Sequence, residues 1–429
     1  MRLTNVLNKV LDYKNIALAN FTILVFVSFF GTSMPFRYER ADFGSTNPVN
    51  QVVYSLLFLS SLILLIVKKE VVFDFIRKEK FLTIFILYAV LSAIWADYPV
   101  ISFRRSFQLF TIYQVVLTSL ILIDFHKQLK QIKIIITLYT IVSAVAIVVV
   151  PDAIDPAFGS PRGLTGQKNA FSQMFVLIFL LYLILNQFSM DNLNKLITLG
   201  GIIISAFFVL ISLSTTGLMA VLYIIALMGI FKVDTIFKDL RIGRAFSLLL
   251  LTILISFALL FSLNSDFLEI VISQYFGKDL TFTGRTEKWE MMMYQISRHF
   301  WFGCGYDSFW DVPGNLVAFY DIGNTAHNGF IEIFNELGLF GFLMMISAFI
   351  AHFYRAVKAN RIFNITALIA ILLLNLTESA LFRGRGALSF VLIWILLFNS
   401  LEYFRHKQKE KNSFFLFNKE TLKNKAIEV

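Results

Sequence analysis

The sequence has few cysteines and few charged residues. Its single cysteine, Cys304, excludes an internal disulfide framework and any metal site built from several thiolates. Only 15% of the 429 residues are charged, whereas a soluble globular domain has about a quarter of its residues charged. The shortage of charge therefore argues against a soluble domain of this length.

Long runs of apolar residues make up much of the chain. Hydrophobic residues make up 57% of the chain, and the mean hydropathy is +0.72. Runs of about twenty apolar residues are long enough to cross a bilayer as helices. They lack the two-residue alternation that is typical of membrane-spanning barrel strands. The sequence therefore predicts an all-α integral membrane protein.

These runs predict about twelve transmembrane helices. We expect them at residues 16–33, 50–67, 81–95, 107–123, 132–150, 170–187, 195–213, 215–231, 245–262, 328–353, 362–380 and 386–402. The chain is thereby divided into spans one to nine over 1–263, a large loop over 264–326, the last three spans over 327–402 and a tail over 403–429. The N-terminal run is too long for a cleaved signal segment, so it is predicted to be a retained span.

The basic residues are concentrated in the loops on one side of these spans. About two thirds of the 38 Lys and Arg residues lie on the side that holds both termini, which makes that side cytoplasmic by the positive-inside rule. The large loop then faces away from the cytoplasm. This distribution accounts for the net charge of +10 without a nucleic-acid partner.

The cations predicted on the outer side are mostly arginines. They are Arg37, Arg40, Arg104, Arg105, Arg162, Arg285, Arg298, Arg383 and Arg385, with Lys168, Lys278 and Lys288. A guanidinium group suits phosphate and carboxylate oxygens because it is planar, permanently charged and bidentate. The set therefore indicates that an anionic group binds on this side. The alternative is that individual arginines pair with lipid phosphates or with Asp42, Asp97 and Glu378.

Two polar turns on the outer side are candidates for anion binding. The first begins at Arg162, is punctuated by glycines and leads through Lys168 and Asn169 into the sixth span. Backbone amides at that helix start could add to the binding, although a plain connecting loop is the alternative. The second turn carries Arg383 and Arg385 near the end of a span, where polar groups are costly unless they line a cavity or find partners.

The large loop is predicted to contain a helix that starts near Thr283 and Arg285. Trp289, Met293, Ile296 and Phe300 recur there at three- and four-residue spacing. This periodicity predicts one apolar face that packs on the membrane domain or lies in the interface.

The same loop ends at the candidate catalytic residue, His327, with Asn328 beside it. Histidine side chains titrate near neutral pH, so His327 fits a general base that accepts a hydroxyl proton. A structural role is the commoner one for a lone histidine. Glu332 and Glu336 follow on one helix face and could pair with the outer arginines. Cys304 is predicted to be a small packed residue, and no metal is expected because no metal-ligand spacing occurs.

The order of these motifs resembles the O-antigen ligase and polymerase superfamily. The residues that carry the resemblance are Arg162-Gly-Leu with Lys168-Asn169, Ser214-Thr-Thr-Gly217, Gly284-Arg285 with Trp289, Arg298 to Gly303 with Gly305 and Phe309, and Ala326-His-Asn-Gly-Phe330 with Glu336-Leu-Gly338. Trp95-Ala-Asp-Tyr-Pro99 followed by Arg104-Arg105 is similar to exopolysaccharide polymerases of that superfamily. The resemblance covers nearly the whole chain. Ser214-Thr-Thr-Gly217 lacks the cation that many relatives have there.

The resemblance implies a metal-independent, GT-C-like glycosyltransferase at the periplasmic face of a bacterial inner membrane. It would move a glycan from an undecaprenyl-diphosphate carrier to an acceptor hydroxyl on another glycan or on lipid A core. Arg162, Arg285 and either Arg383 or Arg385 would hold the diphosphate, and His327 would activate the acceptor. Arg285 counts as catalytic with His327, and Lys168, Asn169, Asn328 and Glu336 complete the predicted substrate site. No cofactor is implied, and the partners would be membrane lipids and a chain-length regulator protein.

Other functions stay open at this point. The residues do not separate a repeat-unit polymerase from a ligase. A flippase for lipid-linked glycans, or another transporter, should carry cations along a cavity that both sides reach, whereas this sequence concentrates arginines at one face beside a histidine. A receptor or scaffold would leave those arginines without a role. The sequence therefore favours an enzyme.

Overall fold

A computed structural model describes residues 12–31, 47–155, 159–188, 192–234, 285–310, 325–359, 362–384 and 386–427. Over these ranges the regular elements are helices, and the one β-type pairing is an isolated bridge between Ile154 and Pro161. The predicted all-α class is confirmed for this part of the chain.

The described residues form the helices α1 to α13. They are α1 (Tyr13–Phe30), α2 (Pro48–Val67), α3 (Lys69–Lys78), α4 (Lys80–Leu91), α5 (Pro99–Leu122), α6 (Phe125–Val149), α7 (Lys168–Gln187), α8 (Asn192–Ile211), α9 (Thr215–Asp234), α10 (Arg285–Arg298), α11 (Gly329–Lys358), α12 (Ile362–Thr377) and α13 (Ala387–Ile427). Several begin at a side-chain cap. Asn47 accepts from the amide of Val49 at 2.9 Å before α2, and Asp124 accepts from that of His126 at 2.9 Å before α6.

The chain is a multi-pass membrane protein. In the described ranges, eight helices are long and apolar enough to cross a membrane, and three shorter apolar helices lie at Lys80–Ile94, Thr216–Met228 and Asn364–Leu376. Each falls where the sequence predicts a span. The ninth predicted span, 245–262, lies outside the described residues, so the total of about twelve stays a prediction.

Several element boundaries differ from the sequence prediction. Helix α5 begins at Pro99 instead of 107 and α6 begins at Phe125 instead of 132, so Arg104 and Arg105 lie within α5 and not in the loop before it. The 68–80 loop contains α3, a short helix of its own. The last helix continues to Ile427, although the tail was expected to begin at 403. Between Ala387 and Ile427 the sequence contains neither glycine nor proline, the residues that most strongly end a helix. Nothing in the local sequence therefore stops α13 where its apolar run ends.

Helices α5 and α13 lie at the centre of the bundle. In each of them 78% of the membrane-spanning segment is buried, compared with 28% for α2 and α8. The indole nitrogen of Trp394, in α13, donates to Oε1 of Gln128 at 3.0 Å, and both side chains are buried. The exposed side chains of the outer helices are apolar, including Leu56, Ile63 and Ile203, which is the arrangement that a lipid environment requires.

A buried ionic cluster lies where α4 begins and α11 approaches its C-terminal end. Glu79 is fully buried, and its Oε1 lies 3.1 Å from Nε2 of His352. Its Oε2 contacts the guanidinium of Arg355 and accepts a hydrogen bond from Ser400 at 2.5 Å. The carboxylate therefore ties α11 and α13 to the start of α4.

Helix α11 is broken near its other end, at Gly338, where φ is 63° and ψ is −170°. The segment 300–305, a turn followed by irregular chain, packs into this break. Four backbone hydrogen bonds join the two, from Cys304 N to Asn335 O (3.1 Å), Gly305 N to Glu336 O (2.9 Å), Leu339 N to Phe300 O (2.8 Å) and Phe340 N to Trp301 O (3.2 Å). In an intact helix these backbone groups of α11 would bond to one another, but at the break they are available to the segment 300–305. The segment is therefore fixed against α11.

Glycine is required on both sides of this junction. A β-carbon on Gly303 would lie 2.3 Å from the backbone of Glu336, and Gly303 has a φ of 74°. A β-carbon on Gly338 would lie 2.4 Å from the carbonyl carbon of Trp301. Positive φ and close backbone approach both exclude a larger side chain. These two glycines therefore bring the loop residues after Gly305 up to the first turns of α11.

Candidate functional site

Arg383 lies at the centre of a cluster of carboxylates beside this junction. It stands in the short turn between α12 and α13. Its Nη1 lies 2.7 Å from Oδ1 of Asp307 and 2.7 Å from Oε1 of Glu336. Its Nη2 contacts Oε2 of Glu332. Glu332 and Glu336 are one turn apart on α11, so one guanidinium can reach both.

Arg105, from α5, reaches the same aspartate. Its Nη1 donates to the backbone carbonyl of Asp307 and lies 3.5 Å from Oδ1. The amide of Asp307 in turn donates to Oε2 of Glu336 at 2.9 Å. Asp307 has a φ of 48°, which is uncommon for a residue other than glycine and is held here by contacts on each side. The loop, α5, α11 and the 383 turn are thus joined through one aspartate.

His327 lies directly before α11, next to Glu378 at the end of α12. Its Nδ1 is 3.5 Å from Oε2 of Glu378. The carboxylate is buried, with 6% of its side chain exposed, while 25% of the His327 side chain is exposed. A carboxylate on Nδ1 favours the tautomer with its proton there, which leaves the lone pair on Nε2 available. Oε1 of Glu378 has no hydrogen-bond partner in the described part of the chain.

The backbone around His327 is fixed on both sides. The amide of Ala326 donates to Oε1 of Glu332 at 2.8 Å, and its carbonyl accepts from the indole of Trp289 at 2.8 Å. After the histidine, the amide of Asn328 donates to Oγ of Ser379 at 3.1 Å. His327 itself has a φ of 52°. These contacts hold the histidine in a left-handed conformation that it would rarely adopt alone.

Asn328 acts as the cap of α11. Its Oδ1 accepts from the amides of Phe330 at 3.0 Å and Ile331 at 3.1 Å. This satisfies two of the amides that the start of a helix leaves without partners. The acceptor oxygen is therefore occupied, and a contact of Asn328 with substrate would have to come from its amide nitrogen. That role stays a prediction.

The other predicted site residues lie in different places. Arg162 is in the turn between α6 and α7, where its Nε donates to the carbonyl of Asp152 at 2.7 Å, and Lys168 and Asn169 open α7. Among the described residues, neither Arg383 nor His327 bonds to this turn. Arg285 is the first residue of α10, but its side chain lies outside the described part of the structure, as does Arg385.

The buried face of α10 differs from the predicted one. Met293 and Phe300 were expected on it, but they are 48% and 39% exposed. Lys288, Met292 and Ile296 are buried instead, at a regular spacing of four residues. Met292 packs in a small apolar cluster with Cys304, Phe309, Trp310 and Ala326. The helix is therefore rotated from the predicted orientation because its partner is the loop beyond Gly303 and the residue before His327.

Cys304 and Tyr306 are buried neutral groups. Burial raises the pKa of the Cys304 thiol well above its usual range, and the nearby carboxylates of Glu336 and Asp97 raise it further. Burial also raises the pKa of the Tyr306 phenol well above its usual range, and its hydroxyl donates to the carbonyl of Phe382. A thiol without thiolate character is a poor nucleophile, so Cys304 has a packing role.

The charges of the Arg383 cluster limit what it can bind. Arg105 and Arg383 face the carboxylates of Asp307, Glu332 and Glu336. A diphosphate at Arg383 would have to displace at least one of these carboxylates. The guanidinium also occupies the position that a cation would take between them. Within the described residues, no three His, Cys, Asp or Glu side chains are arranged to hold a metal ion, and metal independence stays a prediction.

The sequence predicted no role for Asp307 and assigned either Arg383 or Arg385 to the diphosphate. It left Glu332 and Glu336 free to pair with outer arginines, and the structure pairs both with Arg383. The signal that could have pointed to Asp307 is its place two residues after Gly305, in a glycine turn that must approach another backbone closely.

Comparison with known proteins gives a match to one family. Residues 200–346 match the family model described as O-Antigen ligase (Wzy_C). This region begins within α8, includes α9 and α10 and ends within α11, and it therefore includes His327, Glu332 and Glu336 but not Arg105 or Arg383. A search of curated proteins finds no match. The chain is thus a multi-pass membrane protein whose residues 200–346 match the O-antigen ligase family model.

Proposed function

We propose that this protein is a glycosyltransferase that moves a glycan from an undecaprenyl-diphosphate carrier to an acceptor hydroxyl. The observation that carries the proposal is the His327–Glu378 pair, which lies at the start of α11 beside the Arg383 cluster. The family match over residues 200–346 supports lipid-linked glycan transfer as the reaction class. The acceptor would be another glycan, for a polymerase, or lipid A core, for a ligase.

In the proposed reaction, Nε2 of His327 takes the proton from the acceptor hydroxyl. The acceptor oxygen then forms a bond to the anomeric carbon of the donor sugar. The bond from that carbon to the diphosphate oxygen breaks, and its electron pair leaves with undecaprenyl diphosphate. Glu378 stabilises the imidazolium that forms, because its buried carboxylate lies 3.5 Å from Nδ1. The proton gained by His327 returns to solvent or to the leaving group.

Charge that develops on the leaving diphosphate requires cationic donors. We propose Arg285, Arg162 and Arg385 for this role, with Lys168 and Asn169 beside Arg162. The support is the excess of arginine on this side of the chain and the resemblance of these motifs to those of the superfamily. No metal is part of the proposed step, since guanidinium groups would supply the positive charge.

The proposal includes an orientation. His327 would face the periplasm, and both termini would lie in the cytoplasm of a bacterium, with the protein in its inner membrane. The support is the concentration of lysine in the loops that share a side with the termini. A flippase would have no need of a base and a buried carboxylate paired at one face.

The orientation can be tested with single cysteines in a Cys304→Ala background. Tyr294 is 63% exposed on α10, and Lys407 is exposed on α13. A membrane-impermeant maleimide added to intact spheroplasts should label Tyr294→Cys and leave Lys407→Cys unlabelled until the membrane is opened. The reverse pattern would invert the proposed orientation.

The activity can be tested with protein purified in detergent and supplied with a lipid-linked glycan and an acceptor. Product should form without ATP and in the presence of a metal chelator. His327→Ala should reduce the rate by about a hundredfold or more, as expected for the loss of a general base. His126→Ala is a matched control, because this exposed histidine follows Phe125, which stacks on Phe398 within α13, whereas the partner of His327, Glu378, lies before α13 begins. Full activity of His327→Ala would refute the proposed role of that residue.

A further inference from the structure

We propose that Arg383 is a positioning residue, which holds the backbone of His327 through Glu332 instead of binding a phosphate. The inference rests on the proposed function, in which His327 is the base. It changes the role that the sequence predicted for Arg383.

The contacts form a continuous path from the guanidinium to the histidine. Nη2 of Arg383 contacts Oε2 of Glu332. The other oxygen of that carboxylate, Oε1, accepts a hydrogen bond from the amide of Ala326 at 2.8 Å. Ala326 is the residue directly before His327. Each oxygen of Glu332 therefore has a partner among the described residues, and the carboxylate connects the 383 turn to the peptide before the histidine.

The histidine needs such support because of its backbone conformation. A residue other than glycine at a φ of 52° is strained and persists only where the surroundings fix it. Trp289 holds the carbonyl of Ala326, Ser379 holds the amide of Asn328, and Glu332 holds the amide of Ala326. Of these three contacts, only that of Glu332 comes from a charged group, and a hydrogen bond to an ionised acceptor is about twice as strong as a neutral one.

Glu332 depends on Arg383 for its charge. The carboxylate is 1% exposed, and a buried ion without a partner is strongly destabilising. The contact with Nη2 of Arg383 offsets that cost and holds the carboxylate with Oε1 toward the amide of Ala326. Without the guanidinium, the carboxylate would take up a proton or turn toward another donor, and the amide of Ala326 would lose its anionic acceptor.

Arg383 is poorly placed to bind substrate directly. Only 17% of its side chain is exposed, and its two terminal nitrogens face Asp307, Glu332 and Glu336. A phosphate would have to compete with all three carboxylates and approach their negative charge. The geometry therefore favours a role through Glu332 over a role as ligand.

The test uses three variants of the full-length protein: Arg383→Gln, Glu332→Gln and the double variant. Glutamine at 332 retains an oxygen for the amide of Ala326 but has no charge that requires Arg383. Arg298→Gln is the matched control, because Arg298 is an exposed outer arginine at the end of α10. Size-exclusion profiles and thermal midpoints of all four establish that the compared proteins are folded.

The first measurement is hydrogen–deuterium exchange of the peptide that covers 325–331. Arg383→Gln should raise its exchange rate about tenfold, because the amide of Ala326 loses its anionic acceptor. Glu332→Gln combined with Arg383→Gln should restore slow exchange in part, and Arg298→Gln should change nothing. Unchanged exchange in folded Arg383→Gln would overturn the inference, whatever the activity of the protein.

The second measurement separates positioning from binding. With a positioning role, Arg383→Gln lowers kcat by about a hundredfold, as expected for a misplaced catalytic group. The Kd for undecaprenyl diphosphate, used as the probe, then stays within about twofold, and the double variant recovers part of the lost kcat. If Arg383 were a phosphate ligand, Kd would rise by about tenfold or more, and the double variant would not recover. If Arg383→Gln raises exchange but the wild-type protein transfers no glycan, the proposed function is refuted and the positioning of His327 stands.

Discussion

Gly303 and Gly338 approach each other so closely that a β-carbon on Gly338 would lie 2.5 Å from the nitrogen of Gly303. One belongs to the segment after α10 and the other to the break in α11. At this contact the segment after α10 packs directly against the backbone of α11. The placement of Asp307 and of His327 depends on it.

We expect Gly338→Ala to loosen this junction. The substitution would place a β-carbon against the backbone of Trp301 and Phe302, in a left-handed conformation that costs about 1–2 kcal/mol for a residue with a side chain. The thermal midpoint in detergent should fall by several degrees, and transfer activity should fall with it. Gly200→Ala is the matched control, since no atom lies within 4 Å of its β-carbon position in α8. Equal midpoints for the two variants would contradict the close approach.

Glu378→Gln should lower kcat and leave donor affinity unchanged. The variant removes the negative charge that stabilises the imidazolium but retains the shape of the side chain, so only the step in which His327 gains a proton should suffer. A drop of about tenfold to a hundredfold is expected from loss of a supporting group of this kind. The measurement is kcat and Kd for undecaprenyl diphosphate, with Glu290→Gln, exposed on α10, as the control. A normal kcat in Glu378→Gln would show that the charge of this carboxylate has no part in the reaction.

Cys304 should resist alkylation in the folded protein. Only thiolate reacts at a useful rate, and burial raises the pKa of this thiol well above its usual range. Raising the pH from 7 toward the ordinary thiol pKa of about 8.5 should therefore accelerate the reaction of an exposed control cysteine but not that of Cys304. The measurement is the rate of N-ethylmaleimide incorporation in detergent, with Tyr294→Cys in Cys304→Ala as the control. Rapid labelling of native Cys304 would show that the thiol is accessible and ionisable.

Arg355→Met should destabilise the protein strongly. It would leave the fully buried carboxylate of Glu79 without its guanidinium partner, and breaking a buried pair in this way costs about 3–5 kcal/mol. Glu79→Gln in addition should restore part of the loss, because the remaining groups are neutral. Thermal midpoints in detergent measure both effects. Arg405→Met serves as the control, since its ion pair with Glu402 is exposed on the arginine side.

Much of the fold follows from the sequence because each membrane span is a local signal. An apolar run of the right length predicts a helix wherever it occurs, and the described apolar helices fall where such runs do. The extension of α13 to Ile427 was missed because hydropathy marks where lipid contact ends, whereas a helix ends only at a breaker or a cap.

The residue pairs within the candidate site could not be predicted from the sequence in the same way. Arg105 and Asp307 are 202 positions apart in the chain, and Arg383 and Asp307 are 76 apart. A single sequence shows that arginines and carboxylates are present, but their pairing is decided by how the helices pack. The same limit explains the rotation of α10. Met292, rather than Met293, is buried because of the particular loop that covers this helix.

The two ionic clusters on α11 have a consequence for the membrane around the protein. Near one end the helix is tied to Arg383 through Glu332 and Glu336, and near the other Arg355 and His352 are tied to Glu79. The parts of α11 before and after the break at Gly338 are thus each tied to neighbouring elements, so neither can slide or tilt alone to match a thinner or thicker bilayer, which is how an unfastened span adapts. The lipid must therefore adjust to the protein. The position of His327 relative to the far end of α11 is set by these charges and does not depend on the thickness of the membrane.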